Sequence, residues 1–287
     1  MKVSVTCIPC FIRQLSEVIG IVSKDNDFQL SLFKETLREL SQLPLSQLKP
    51  PEVAKILHNF IKQRSGVSDP YAEIKKRSNE FAKTLIKELE GYIKDSKDPF
   101  ETSMRLAIAG NIIDYGQAGE VNNLVVKKSI DDSLNARLDT ELIRCLYHDA
   151  SKANHILYLA DNAGEIYFDK LFLQRIPSNS ITVALRGAPI INDATMQDAI
   201  EAGINRICKV IDTGDSTPGI ILKDCSKEFV DAFLGADIII SKGQGNYETL
   251  SDIEDKKIYF LFKIKCVAVA KDTGHKLGET VILCNKR

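Results

Sequence analysis

The sequence predicts an α/β protein: a Rossmann-like, mostly parallel sheet with helices on both faces, preceded by an all-helical amino-terminal region. Apolar residues recur at helical spacing from residue 11 to about residue 150, whereas short apolar runs alternate with loops and helical segments after residue 153. The run ILYLA at residues 156–160 is apolar without alternation, which is typical of a parallel strand covered on both faces. We therefore predict a helical region over residues 1–150 and a sheet domain over residues 151–287. No Gly/Ser/Pro-rich linker separates them, so we expect them to pack as one unit.

The helices of the first half are marked by proline and by capping residues. Pro50 can open one helix, and Asp98 followed by Pro99 opens another as a cap and first-turn proline. The helix that begins at Asp98 continues into LAIAGNIIDYG, where Asn111 and Asp114 interrupt an apolar run. A last helix of this half is predicted over residues 131–150.

The second half alternates strands and helices. Strands are predicted at residues 156–160, 181–185, 206–211, 237–240, 258–262 and 280–283, with helices at 166–176, 194–202 and 226–234. Alternation of this kind implies right-handed crossovers and a mostly parallel sheet. Ligands of such sheets bind at the carboxyl ends of the strands.

Composition limits the classes of partner. The formal charge is -1, so no overall basic field draws the chain to nucleic acid or to an anionic membrane. The amino-terminal MKVSVTCIPCF lacks the long apolar core of a signal peptide, and we expect no stretch to approach the ~18 to 20 apolar residues of a membrane helix. Seven cysteines scattered over the chain argue against a secreted disulfide framework. We expect a cytoplasmic protein of unknown oligomeric state.

Oxygen-bearing side chains follow two predicted strands. Asp161 and Asn162 come directly after the run at 156–160, and Asp193 lies in RGAPIINDAT after the next strand. Taken singly, each is more typical of a turn or a cap, and Asp193 is expected to cap the following helix. Together they offer the oxygen ligands that Mg²⁺ or Mn²⁺ prefers. Arg186 either contacts the substrate or extends to solvent, and Asn111 either reaches this corner or caps a neighbouring backbone group.

A third strand end offers groups suited to phosphate. The segment SKGQGNYETL combines a lysine with glycines, which free backbone N–H groups, although a flexible turn with a surface lysine is the alternative. Neither a Walker loop nor GxGxxG is present. The segment IDTGDSTPGI either forms a polar lip over the same edge or is an ordinary connecting loop. The candidate substrate contacts are Asn111, Arg186, Ser216, Gly219, Gly243, Gly245, Asn246 and Glu248, and the candidate catalytic residues are Asp161, Asn162, Asp193 and Lys242.

Cys7 and Cys10 form a CxxC pair at the start of a helix, a position that lowers the pKa of thiols. Alone, the pair is half of a zinc site. Cys266 could approach it if the amino terminus folds over the sheet edge, giving a candidate second metal or redox site. The alternative is three packed thiols.

The motifs CIPC, GNIID, LADNAGE, RGAPIINDAT, DTGDSTPG, SKGQGNYE and the KC of IKCVAVAKDTG, in this order, resemble the damage-control phosphatases, first described as domain of unknown function 89. The short chain and the CxxC are similar to the compact first subfamily. The resemblance implies a helical region beside a Rossmann-like metal-binding catalytic domain, and metal-dependent hydrolysis of small phosphorylated metabolites such as sugar phosphates. It matches Asp161, Asn162 and Asp193 to ligands of Mn²⁺, Ni²⁺, Co²⁺ or Mg²⁺. It also matches Asn111 to an active-site amide and Lys242 to a lysine that contacts phosphate.

The expected mechanism is in-line attack by metal-activated water, with Glu165 or Asp193 as the base. An aspartyl phosphate formed on Asp161 is the alternative route. Two other functions stay open from the residues. One is an S-adenosylmethionine-dependent carboxyl methyltransferase, and the other is a non-catalytic metal or redox binding module centred on the CxxC.

Overall fold

The computed structural model describes residues 1–112, 123–178 and 180–286; Asp114 lies outside them. The helices of the first half are α1 Ile8–Val22, α2 Asn26–Gln42, α3 Pro50–Ser65, α4 Ala72–Lys94, α5 Pro99–Ala109, α6 Asn123–Leu134 and α7 Thr140–Lys152. The second half contains β1 Ile156–Leu159, α8 Glu165–Leu173, β2 Ile181–Leu185, α9 Met196–Ala202, β3 Lys209–Asp212, α10 Lys227–Gly235, β4 Ile238–Lys242, α11 Gln244–Leu250, β5 Ile258–Lys263, α12 Val267–Thr273 and β6 Thr280–Cys284.

The strands form a 6-stranded sheet in the order β3-β2-β1-β4-β5-β6. Neighbours from β3 through β5 are parallel, and β6 pairs antiparallel with β5. This confirms the predicted fold class. The chain moves outward from β1 to β3 and then returns to build the other side from β4. A crevice therefore opens between the carboxyl ends of β1 and β4, where open α/β sheets bind ligands.

Both faces of β1 are buried, as its unalternating apolar sequence predicts. Ile156 and Tyr158 pack in one core cluster with residues of α4 to α9, including Phe168. Leu157 and Leu159 pack in a second cluster on the opposite face with α10, α11 and α12. Part of the helical first half thus covers the sheet directly, and the predicted division near residue 150 stays a prediction.

The helices α1, α2 and α3 share a third core cluster. The segment Val5–Val22 is long and apolar enough, by length and composition, to cross a membrane, so the expectation that no stretch approaches that size is wrong. Its buried share is 28%, and Phe11, Leu15 and Val18 pack against α2 and α3. Its apolar residues therefore include the contact face of a packed helix.

Several predicted boundaries differ from the structure. The helix predicted at residues 131–150 is instead the end of α6 and all of α7, because Asp139 caps a new helix by accepting from the backbone N–H groups of Glu141 and Leu142. The helix from Asp98 stops at Ala109 and continues as a 3-10 turn, Gly110–Ile112. Strand β3 begins later than predicted, since a 3-10 turn occupies Ile204–Arg206. The short helices α11 and α12 were not predicted.

Candidate active site

Asp161 and Asn162 lie at the crevice, directly after β1. The Asp161 side chain is 12% exposed, and Asn162 is 8% exposed. Gly243, at the carboxyl end of β4, lies against the Asp161 carboxylate: a Cβ atom on Gly243 would sit 2.1 Å from Asp161 Cγ. The φ of Gly243 is 81°, in the region that favours glycine. Close backbone approach and local conformation both explain a glycine here.

Two asparagine amides hold the acidic groups beside β1. Asn111 Nδ2 donates to Asp161 Oδ2 at 2.8 Å and to Glu165 Oε2 at 2.7 Å. Asn162 Nδ2 donates to the same two oxygens at 2.8 and 3.1 Å. Asn111 of the helical half therefore does reach this corner, while its contact with a substrate stays a prediction.

Lys242 contacts this group of side chains through Glu165 and is fully buried. Its Nζ donates to the Ala107 carbonyl at 2.8 Å, to Glu165 Oε1 at 2.7 Å and to Asp169 Oδ1 at 2.5 Å. The alternative of a flexible turn with a surface lysine is wrong, because β4 extends to Lys242 and directs it into the core. These contacts use the three N–H donors of the ammonium within the protein. The predicted contact with phosphate stays a prediction, and in this structure Lys242 bonds Glu165 and Asp169.

Asp193 approaches the same corner from the loop after β2. Asn162 and Asp193 form an isolated antiparallel bridge, which joins the two strand ends. Asp193 does not cap the next helix, since Thr195 is the N-cap of α9. Its Oδ2 instead accepts from Arg186 Nε at 2.6 Å. The expected cap does not form because α9 begins at Met196, and Thr195 and Asp198 make its capping box.

Arg186 does not extend to solvent, because its side chain is only 1% exposed. Its Nη1 donates to the Gly219 carbonyl at 3.2 Å and its Nη2 to Asn246 Oδ1 at 3.0 Å. Asn246 in turn donates to the carbonyls of Ala160 and Lys242. Arg186 therefore ties together the ends of β1, β2 and β4.

Crowding of acids in this corner disturbs their titration. Burial raises the pKa of Asp161 to about 8, and the carboxylates of Glu165 and Asp193 act in the same direction against Arg186 and Lys265. Burial also raises the pKa of Asp193, opposed by its ion pair with Arg186. A bound cation would relieve this repulsion.

The donor set of Asp161, Asn162 and Asp193 suits a hard divalent cation, because it consists of carboxylate and amide oxygens at joined strand ends. Within the described part of the chain, no three or more His, Cys, Asp or Glu side chains are grouped so that they could hold a metal. The set therefore depends on the amide oxygen of Asn162, and the metal site stays a prediction that the residues fit.

The remaining substrate candidates have mostly structural contacts. A Cβ atom on Gly245 would lie 2.2 Å from the Pro218 carbonyl oxygen, and one on Gly219 would lie 2.8 Å from the Gly245 carbonyl oxygen. These glycines allow α11 to pack against the lip segment. The N–H of Gly243 donates to the Leu261 carbonyl. Ser216 is half-buried in the lip, so its contact with a substrate stays a prediction, as do those of the glycines.

Glu248 points to the cysteine region. It accepts from Gln244 Nε2 at 2.8 Å, and the same nitrogen lies 3.5 Å from Cys266 Sγ. The expectation of a lowered thiol pKa is wrong for Cys10. Burial raises the pKa of Cys10 and that of Cys266, and Glu248 contributes to both shifts. Cys7 is buried close to them. The three thiols are free, and their role as a metal or redox site stays a prediction.

Two residues of the network were missed from the sequence. Asp169 is buried in α8 one turn after Glu165, and Tyr158 in β1 donates to Asp169 Oδ1 at 2.7 Å. Two acids four residues apart in the apolar segment EIYFDKLFL were a usable signal, because they share one helix face. Ile191, beside Asp193, has a φ of 45°, which is strained for a β-branched residue. Strain next to the joined strand ends supports a functional role for this loop.

An open cleft of about 980 Å³ lies at the opposite edge of the sheet, near the amino ends of β2 and β3. His155, Thr182 and Lys209 are among its lining residues. None of the candidate site residues lines it. The chemical groups of interest are at the carboxyl ends of the strands.

The sheet order defines a Rossmann-like α/β protein, and its oxygen-rich crevice lies where the strand order reverses. The chain belongs to the damage-control phosphatase ARMT1-like domain family, which it matches over residues 3–281. Membership of the compact CxxC subfamily stays a prediction.

Relatives and a solved structure agree with this assignment. An uncharacterised protein of Methanocaldococcus jannaschii is 36% identical over 99% of this chain and 95% of its own length. A damage-control phosphatase of Pyrococcus horikoshii is 34% identical, covering 100% and 99% of the two chains, and one of Archaeoglobus fulgidus is 35% identical, covering 98% of each. The crystal structure of a DUF89 family protein from P. horikoshii matches with a TM-score of 0.90 at 33% identity, over 100% of both chains.

Proposed function

We propose that this protein is a divalent-metal-dependent phosphatase that hydrolyses small phosphorylated metabolites. The observation that carries the proposal is the joining of two strand ends by the bridge between Asn162 and Asp193, which gathers Asp161 and the two bridge residues at the crevice. Relatives that are named damage-control phosphatases support the reaction class.

The protein's own residues hold and order the site. Oxygens of Asp161, Asn162 and Asp193 would hold the ion, which supplies Lewis-acid activation of the phosphoryl group and of water. Arg186 holds Asp193, while Asn111 and Asn162 hold Asp161 through its Oδ2. These contacts fix the acids before substrate arrives, which is the preorganisation that phosphoryl transfer requires.

Glu165 and Asp193, the two candidate bases, differ in their contacts. Glu165 is fully buried, with Oε1 bonded to Lys242 and Oε2 bonded to Asn111 and Asn162. Its oxygens are therefore occupied. Asp193 is the remaining candidate to accept a proton, and its raised pKa favours that role. Attack by Asp161 itself stays the alternative route.

No observation favours the methyltransferase alternative. A ribose-binding acid is expected at the end of the second strand of a nucleotide-binding Rossmann sheet. This chain has Arg186 there instead, engaged with Asp193. The binding-module alternative depends on the cysteines, of which Cys266 has its Sγ 3.5 Å from Nε2 of Gln244, the first residue of α11.

The test is phosphate release by chelator-stripped protein from p-nitrophenyl phosphate and a panel of sugar phosphates. Mg²⁺, Mn²⁺, Co²⁺ and Ni²⁺ are added back singly. We expect metal-dependent release that falls at least ~100-fold in Asp161→Asn and Asp193→Asn. Asp149→Asn, which removes a carboxylate outside the site, is the control and keeps wild-type release. Release that needs no metal, or that survives both substitutions, would contradict the proposal.

A further inference from the structure

Glu165 and Lys242 form a buried ion pair that the proposed reaction leaves without a role. Both side chains are fully buried, and Glu165 Oε1 lies 2.7 Å from Lys242 Nζ. The other oxygen, Oε2, accepts from both Asn111 and Asn162. Glu165 therefore connects a buried cation on one side to two site amides on the other.

We propose that Glu165, with its polarity fixed by Lys242, is a positioning residue that turns the amide oxygen of Asn162 toward the metal position. This inference rests on the proposed function, since it concerns the same site. The amide nitrogens of Asn162 and Asn111 both donate to Glu165 Oε2, and a carboxylate oxygen can only accept. The same nitrogens donate to Asp161 Oδ2. The amide oxygens consequently point away from both carboxylates.

Lys242 fixes which atom at position 165 can face it. An ammonium only donates, so even an amide at this position would have to turn its oxygen toward Lys242. Asp169 and the Ala107 carbonyl take its other two N–H groups, which keeps the ammonium in place. Lys242 therefore fixes the direction of the side chain at position 165, and this side chain fixes the direction of the two asparagine amides.

Glu165→Gln tests the polarity with almost no change of volume. Lys242 would keep the new side-chain oxygen, leaving the new NH₂ group to face the NH₂ groups of Asn111 and Asn162. Two donors cannot bond each other, so the asparagine amides would be held by Asp161 Oδ2 alone and would lose the fixed direction of their oxygens. A neighbouring group that orients a ligand typically changes metal affinity by ~10 to 100-fold.

The experiment measures Mn²⁺ affinity by calorimetric titration of metal-free protein, together with kcat and KM for p-nitrophenyl phosphate. Glu165→Gln is expected to weaken Mn²⁺ binding by ~10 to 100-fold and to lower kcat more than it raises KM. Asp149→Asn is the matched control, because that carboxylate also bonds a lysine but lies outside the site.

The decisive comparison adds Asn162→Asp. A carboxylate at position 162 presents an oxygen to the metal position whichever way it turns, so Glu165 has no amide to orient in that background. Glu165→Gln should then weaken Mn²⁺ binding by no more than ~3-fold, against ~10 to 100-fold in the wild-type background. A merely structural role would weaken binding equally in both backgrounds. The effect in the Asn162→Asp background is measured between Asn162→Asp and the double variant, so it tests the inference even if Glu165→Gln alone folds poorly.

The outcomes separate this inference from the proposed function. Two results would overturn the inference alone, provided that the wild type binds Mn²⁺. One is an unchanged affinity in Glu165→Gln, and the other is an equal loss of affinity from Glu165→Gln in the wild-type and Asn162→Asp backgrounds. Failure of the wild type to bind any of the divalent metals, without metal-dependent release, would overturn the proposed function and this inference with it.

Discussion

Two clusters in this protein contain the same three kinds of side chain, a lysine, an aspartate and a tyrosine. In the buried cluster, Asp169 Oδ1 lies 2.5 Å from Lys242 Nζ and 2.7 Å from the Tyr158 hydroxyl. In the outer cluster, Asp149 Oδ2 lies 2.5 Å from Lys257 Nζ and 2.6 Å from the Tyr259 hydroxyl. The two lysine side chains are 0% and 33% exposed.

The pKa values of the two aspartates nevertheless shift in opposite directions. Burial raises the pKa of Asp169 to about 6, although Lys242 acts against it and the nearby Glu165 acts with burial. Burial also acts to raise the pKa of Asp149, but hydrogen bonds from Lys257 and Tyr259 outweigh it and the pKa is lowered. The same contacts thus have different consequences, because desolvation and a second acid dominate only in the core.

Removal of the lysine should give the largest difference between the two clusters in the free energy of unfolding. Lys242→Met leaves Glu165 and Asp169 buried without their cation, and we expect it to lower the free energy of unfolding by about 3 to 5 kcal/mol. Lys257→Met is the matched variant at the partly exposed pair, with an expected loss under about 1 kcal/mol. Both values come from urea unfolding at neutral pH. Equal losses in the two variants would show that burial does not distinguish these ion pairs.

The buried cluster also lies beside a corner with no spare volume. Gly243→Ala places a methyl group against the Asp161 carboxylate and requires an unfavourable φ, so we expect kcat/KM for p-nitrophenyl phosphate to fall at least ~100-fold. Gly235→Ala is the control, because nothing lies within 4 Å of a Cβ atom there. Near-wild-type activity of Gly243→Ala would mean that the Asp161 position is not important for turnover.

Much of the fold could be predicted because its strongest signals are local. The apolar run of β1 indicates a buried parallel strand, and the alternation of elements indicates the doubly wound sheet. Helix α11 was missed because it has only 7 residues and begins with Gln244, Gly245 and Asn246, which show no helical periodicity. The break between α6 and α7 depends on the single cap at Asp139, within otherwise continuous helical spacing.

Site residues that directly follow strands could be predicted from the sequence. Residues whose role depends on the direction of the side chain could not. Asp161, Asn162 and Asp193 could be grouped because parallel strands end at one edge. The direction of Lys242 depends on how far β4 extends. Ile238 and Ile240 face the cluster that contains α5 and α8, and Lys242 has the same parity, so it enters that core. Ending the predicted strand at residue 240 concealed this relation.

The pH dependence of stability should differ between the clusters. The pKa of Asp169 is raised from an ordinary value of about 4 to about 6, so the native state binds this proton more tightly and the free energy of unfolding falls as pH rises between those values. Asp169→Asn should remove this change in the free energy of unfolding, which is on the order of 1 to 3 kcal/mol across that pH range. Other buried acids also titrate, so the contribution of Asp169 is read from the difference between the variant and the wild type. Both proteins are measured free of metal.

Asp149→Asn should act in a different pH range. The lowered pKa of Asp149 gives stability that is present above pH ~4 and lost as pH falls below it. This substitution should therefore flatten the acid limb only. If both substitutions flattened the same limb, the assignment of opposite pKa shifts to the two aspartates would be contradicted.

The smallest expected difference concerns the tyrosine hydroxyls. Tyr158→Phe removes one of the donors to Asp169 in a place that water does not reach, and we expect it to cost about 1 to 2 kcal/mol of unfolding free energy. Tyr259→Phe removes the same bond from Asp149, whose side chain is 22% exposed, so water can replace the lost donor. Its expected cost is under about 1 kcal/mol. A larger cost for Tyr259→Phe in urea unfolding would contradict desolvation of the aspartate as the cause of the difference between the clusters.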